Sequence, residues 1–306
     1  MRKILFVTVC VLSLVCSWIF CETQQDQTKS SKIEVDLDFR ALHPGEVVRV
    51  SVRTSSPVKS IQARFSAEKY MLGSGQSPGE YLALIGLDLG LKSGSYPIVF
   101  TLVYTDGHHE KVVKEILVVA KEYPVKKLWV NEKYVTPPPE VLTRIREESE
   151  LLNEIYGIST PRWLGEGSFI VPSTGEVVPN FGERRIFNNQ PRSPHSGVDI
   201  SSPYGAPVVA SNSGRVVLVS HLYYAGNTVI IDHGLGVFTL YLHLSKFRVK
   251  RGDQVEKGSI IGEIGATGRV TGPHLHWGVK IRGSRIDPFS LLYLNFDHQS
   301  NAKRET

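Results

Sequence analysis

Apolar residues recur at every second position through much of this 306-residue chain, and that spacing commits it to β-sheet. Val48, Val50 and Val52 alternate with Arg49, Ser51 and Arg53. Ile98, Phe100, Leu102 and Tyr104 repeat the pattern before an Asp106-Gly107 turn, and the run from Val112 to Val119 reads as the returning strand. Short strands separated by turn signals over 33–120 predict a β-sandwich of immunoglobulin-like size. A second β-rich stretch, 166–294, is dense in glycine, and its clearest strands run over 215–220, 227–232, 237–244 and 276–281. The expected fold class is mostly β, an N-terminal immunoglobulin-like β-sandwich followed by a second β domain.

The remaining segments read differently. Met1-Arg2-Lys3 followed by an uncharged run from Ile4 to Phe20 has the layout of a secretory signal, so 1–21 is expected to direct export. If retained, the same segment would associate the protein with the membrane. Cys21 follows Phe20, where a lipoprotein signal wants a small residue, which argues against lipidation. The polar stretch 22–32 reads as a spacer and 295–306 as a polar, frayed tail. Between the two β regions, 121–165 reads as a connector with a helix. Thr136 is its expected cap, Pro137-Pro138-Pro139 fill the first turn, and Gly157 is its stop. Leu142, Ile145, Leu152 and Ile155 lie near one face, suited to docking on a neighbouring domain.

All three cysteines, Cys10, Cys16 and Cys21, fall within or at the edge of the leader. Beyond it the chain has no disulfide framework and no thiolate metal site, so any metal must be held by histidine and carboxylate. The formal net charge of +5 is dispersed and partly carried by Arg2 and Lys3, which gives no case for nucleic acid.

Six of the ten histidines, His195, His221, His233, His243, His274 and His276, lie between positions 195 and 276. In Pro273-His274-Leu275-His276-Trp277 the two imidazoles are two residues apart, so on a strand they share a face. Burying both without a common partner is costly, and a metal cation would remove the cost. His195-Ser196-Gly197-Val198-Asp199 can present its His and Asp to one side if extended. Two histidines and a carboxylate leave a fourth tetrahedral position for water, as in a catalytic zinc site. His243, in Tyr241-Leu242-His243-Leu244-Ser245, would by itself read as a satisfied sheet histidine. His108 and His109 fit an exposed turn, His221 a surface position and His233 a turn-shaping one.

Taken together, these three segments resemble the signature segments of lysostaphin-type (LytM-like) zinc metallopeptidases. The segments from Phe181 to Arg185 and from Gly226 to Gly234 are similar to that family as well, and the resemblance covers about 179–288. It implies a mostly antiparallel β peptidase domain over 166–294 with its site in a groove. By the same resemblance His195, Asp199 and His276 bind one Zn2+, while His243 and His274 assist catalysis off the metal. Tyr204, where a smaller residue such as Thr is expected, and Asn227 are candidate substrate contacts. The implied activity is a secreted endopeptidase acting on peptidoglycan stems or crosslinks in the periplasm or cell envelope. The D-alanyl–diaminopimelate bond is favoured over a glycine bridge. Since every chemical motif lies in 166–294, that segment is expected to fold and cleave alone.

Two other classes compete. A noncatalytic wall-binding protein that activates a separate amidase would keep the fold without needing every metal ligand. Val249 to Gly265 is similar to the hairpins of lipoyl and biotinyl carrier domains, but such hairpins display a lysine, commonly between methionines, and the two methionines here are Met1 and Met71.

Overall fold

The computed structural model describes residues 33–296 apart from 76, 159 and 295. The leader, the whole of the spacer and nearly all of the tail lie outside these residues. Among those described, no helix is long and apolar enough to cross a membrane.

Two four-stranded antiparallel sheets form the N-terminal part. One orders Ile33–Asp38, Val47–Thr54, Glu80–Gly86 and Gly73–Ser74; the other orders Glu68–Met71, Val58–Phe65, Gly94–Tyr104 and His109–Val118. The period-two pattern sets their registers. Phe100 pairs with Val112, and Val48, Val50, Ile98, Phe100 and Leu102 are all buried in one core contributed by both sheets.

That core does not stop at the end of the sandwich residues. It continues through Leu235, Val237, Val279, Ile281, Ile286 and Leu291 of the C-terminal part. A Cβ on Gly86 would fall 2.9 Å from the Ile286 side chain, so the two parts touch there with no space for a side chain between them. Polar contacts line the seam. Arg40 bridges Glu46 and Asp287 at 2.6 and 2.8 Å, Arg285 meets Asp88 at 2.6 Å, and Val47 N–H donates to Ser290 Oγ at 2.8 Å.

The C-terminal part is built on one antiparallel sheet. Its order is Glu176–Val178, Gly197–Ser201, Leu275–Ile281, Val237–Leu244, Gly226–Asp232, Gly214–Leu222 and Gln254–Val255. Val198, Ile200, Tyr241, Leu275 and Trp277 fill a second core on one face, together with Val208 and Ile261 of a smaller three-stranded sheet. The opposite face is shared by the candidate site and by the helix.

The helix spans Pro139–Gly157. Thr136 is not its cap: that hydroxyl donates to Glu132 Oε1 at 2.9 Å, and the cap position is Pro138, extended at φ −66° and ψ 149°. A residue preceding proline is excluded from the helical region, so only the last of three prolines can begin the helix. Leu142 is exposed, and the buried stripe is instead Leu151, Leu152, Ile155 and Tyr156. These pack on Leu218, Leu222, Ile230 and Phe238 of the large sheet. The connector also supplies a strand, Val125–Leu128, parallel to Arg184–Phe187. At the other end Phe296 is still packed, stacked on Trp163 with ring centroids 5.2 Å apart.

Candidate metal centre

Asp199 and His276 are direct cross-strand neighbours, because the strand Gly197–Ser201 pairs with Leu275–Ile281 in that register. Leu275 and Trp277 point into the core, so His276 faces the other way, as alternation requires. Gly197 makes room for the ring: a Cβ there would come within 2.7 Å of His276 Nε2. His195 reaches in from the preceding loop, tied by backbone bonds to Gly182 and Glu183.

The three side chains close a triangle. His195 Nε2 lies 2.8 Å from His276 Nδ1 and 3.1 Å from Asp199 Oδ1, which lies 3.2 Å from His276 Nδ1. His195 Nδ1 donates to the Asn180 carbonyl at 3.0 Å, so the neutral ring points a bare Nε2 into the triangle. Ligands at zinc's usual 2.0–2.1 Å and tetrahedral angles sit roughly 3.3 Å apart. The observed edges are only a few tenths of an ångström shorter, and the N,N,O donor set suits zinc. The residues therefore fit the ion.

Electrostatics prepares the same three atoms. Burial lowers the pKa of His195, against the pull of Asp199, and brings that of His276 down to about 4. Burial alone would raise the Asp199 carboxyl, but the hydrogen bonds and charges of His195 and His276 outweigh it and hold it well below the usual carboxylate range. Two neutral imidazoles and a carboxylate are the protonation states a metal requires. The second carboxylate oxygen is engaged elsewhere: Oδ2 accepts from Asn180 Nδ2 at 2.9 Å and Arg185 Nη2 at 2.8 Å, which turns Oδ1 toward the histidines. Neither Asn180 nor the role of Arg185 follows from spacing, although Arg185 stands in the segment that resembles the family.

His243 and His274 complete the cluster. Their ring centroids are 5.1 Å apart, and His243 is 6.0 Å from His276. His274 Nε2 stands 3.7 Å from Asp199 Oδ1, farther than His276 Nδ1. Both rings donate Nδ1–H to a backbone carbonyl, His243 to Thr267 at 2.9 Å and His274 to Gly272 at 2.8 Å, which fixes each ring with Nε2 on its other side. Burial, followed by the neighbouring His276 and His274, pushes the pKa of His243 well below its ordinary value.

A bulge aims His243. Between Val229↔Tyr241 and Asn227↔Leu244 one strand advances two residues and the other three. Tyr241 and Leu244 both enter the core, and His243 adopts the left-handed conformation with φ +66°. Strict alternation would have placed His243 beside Tyr241 in the apolar interior. A groove of about 190 Å3 lies over these residues, lined by His195, His243 and His276 together with Arg185, Tyr224 and Arg269.

Tyr204 and Asn227 are not among the groove-lining residues. Tyr204 is exposed on a turn, and the Asn227 side chain is engaged by His221 Nδ1 and the Leu244 carbonyl. His221 is exposed on its strand. His233 is fully buried, bonded to the Ser213 carbonyl and Thr239 Oγ1.

Comparison with known proteins matches residues 193–288 to peptidase family M23. Peptidoglycan DD-endopeptidase ShyA of Vibrio cholerae is 46% identical over 118 residues, 38% of this chain and 27% of the relative. The DD-carboxypeptidase/endopeptidase Mpg of Neisseria meningitidis is 44% identical over 97 residues, 32% of this chain and 22% of the relative. The chain thus spans about a quarter of the length of the curated relatives it matches. A candidate M23 peptidase structure from Pseudomonas aeruginosa superposes with a TM-score of 0.65 at 28% identity, covering 83% of this chain and 96% of that one. The matched span contains all five clustered histidine and aspartate positions, and residues 193–288 are a domain of peptidase family M23, the lysostaphin (LytM) type.

Proposed function

We propose that this chain is an exported zinc metalloendopeptidase that hydrolyses peptide crosslinks of peptidoglycan, with the D-alanyl–diaminopimelate bond as its target. The observation that carries this reading is the closed His195–Asp199–His276 triangle with two further oriented imidazoles beside it. The names of the Vibrio and Neisseria relatives support the bond assignment. The charged start and apolar run of residues 1–20 support action outside the cytoplasm.

In this reading His195, Asp199 and His276 hold the ion. Bound zinc supplies Lewis acidity toward the scissile carbonyl and an acidified water at neutral pH. The remaining work belongs to the chain. His243 and His274, oriented by the Thr267 and Gly272 carbonyls, take the proton from the attacking water and return it to the departing amine. Asn180 and Arg185 fix the carboxylate so that the ligand geometry is set before substrate arrives.

Purified protein with measured zinc content, incubated with isolated walls, tests the reading directly. The expected result is loss of crosslinked dimers and appearance of monomers, identified by mass spectrometry of muropeptides. One zinc per chain without any cleavage would favour the activator of a separate amidase.

A further inference from the structure

Arg269 lines the same groove as His195, His243 and His276. Its guanidinium carbon lies 4.8 Å from the ring centroids of both Phe187 and Tyr224, so two aromatic rings hold it. Among the described residues nothing accepts a hydrogen bond from that guanidinium and no carboxylate pairs with it; only its backbone N–H is bonded, to the Tyr224 carbonyl. The neighbouring arginines differ. Arg185 meets Asp199, and Arg192 donates to Val135 and Pro191 carbonyls and to Gln190 Oε1. Among the described residues, no Asp or Glu lines the groove. Burial, and after it the charges of Arg185 and Arg192, pull the Arg269 pKa below its ordinary value despite the nearby Tyr224.

A half-buried guanidinium without an acceptor is costly to maintain unless a ligand supplies one. Its planar fork matches a carboxylate through two parallel N–H···O bonds. Position narrows the choice of carboxylate. Arg269 follows Thr267, whose carbonyl orients His243, so one loop carries both the proton-handling ring's support and the free cation. In a D-alanyl–diaminopimelate crosslink, the carbon bearing the scissile nitrogen also bears a carboxylate. A glycine bridge has hydrogen there instead. We infer that Arg269 is the specificity residue that binds the carboxylate of the substrate residue supplying the scissile amine. This inference rests on the endopeptidase reading above for its substrate, but its binding contact can be measured without turnover.

The test uses the full zinc-loaded chain and two crosslinked peptides, a D-alanyl–diaminopimelate dimer and the same dimer with that carboxylate converted to a carboxamide. Cleavage rate and calorimetric affinity are measured for both. Wild type should favour the carboxylate dimer by about 10- to 100-fold, as expected for a charge-assisted pair. Arg269→Gln should lose that preference, the two dimers becoming equivalent, and Arg269→Lys should recover part of it; thermal melting checks that each variant is folded. Cleavage of both dimers by wild type without preference would overturn the inference and leave the endopeptidase reading intact. No cleavage of either, with the affinity difference present in wild type and absent in Arg269→Gln, would overturn the bond assignment and support the carboxylate contact. Equal loss on both dimers in folded Arg269→Gln would assign the residue a structural role only. Binding of neither dimer would remove both readings.

Discussion

Asn180 touches two of the three proposed ligands. Its carbonyl accepts from His195 Nδ1, its side-chain oxygen accepts from Asp199 N–H, and its amide nitrogen donates to Asp199 Oδ2. Asn180→Ala deletes the two side-chain bonds and should weaken zinc binding by about 10–100-fold with the fold preserved. Competition with a chromophoric chelator measures it, and wild-type affinity in the variant would mean that Arg185 alone positions the carboxylate. His233 makes a separate residue-level prediction. Burial lowers its pKa to about 4, whereas in an unfolded chain the ring titrates near 6.5. Between those values the unfolded chain binds the extra proton, so this stabilisation is complete above about pH 6.5 and is lost as pH falls toward 4. Urea titrations at pH 7 and pH 4.5 should show a drop smaller by about 2–3 kcal/mol in His233→Gln than in wild type. Equal drops would show that His233 is not the proton acceptor.

At the level of elements, the bulge in Val237–Leu244 decides whether His243 faces the groove. Thr267 clamps it: Oγ1 accepts from Asn227 N–H and donates to the Leu244 carbonyl, while its own carbonyl accepts a hydrogen bond from His243 Nδ1. Thr267→Val removes the hydroxyl at nearly constant shape. Turnover should fall by about tenfold with zinc content unchanged, if misaiming a general acid–base group costs part of its contribution. Loss of zinc in that variant would place the clamp under the metal ligands instead. The same bulge marks where sequence reading ends. The two-residue spacing of His274 and His276 encodes a shared strand face, and the four-residue spacing of His195 and Asp199 suits one side of an extended segment. Alternation alone sends His243 into the core, because one extra residue reverses the parity and nothing local in the sequence announces it. Asn180 and Arg269 are legible only in three dimensions, since their partners lie across sheets and loops. Thr136 misleads for a local reason, the exclusion of residues before proline from the helix.

Across the whole molecule the sandwich and the M23 domain share an apolar core, with Leu235, Ile281 and Ile286 packed into it beside Gly73 and Gly86. Each such side chain contributes about 1.5–3 kcal/mol when buried, so exposing three or four costs as much as the whole stability of a marginal domain. The motifs' confinement to 166–294 suggests an independent catalytic unit, but the packing predicts otherwise. A 166–294 fragment should melt at a clearly lower temperature than the full chain or aggregate on purification, and melting at the full-chain temperature would show that the seam is dispensable. The site itself is tested most directly in the full chain, by atomic absorption on folded His276→Ala and His274→Ala. Zinc should be lost from His276→Ala. His274→Ala should keep about one zinc per chain, with turnover reduced on the order of 10²–10⁴-fold. Stoichiometric zinc in His276→Ala, or its loss in His274→Ala, would show that the two histidines hold the opposite roles.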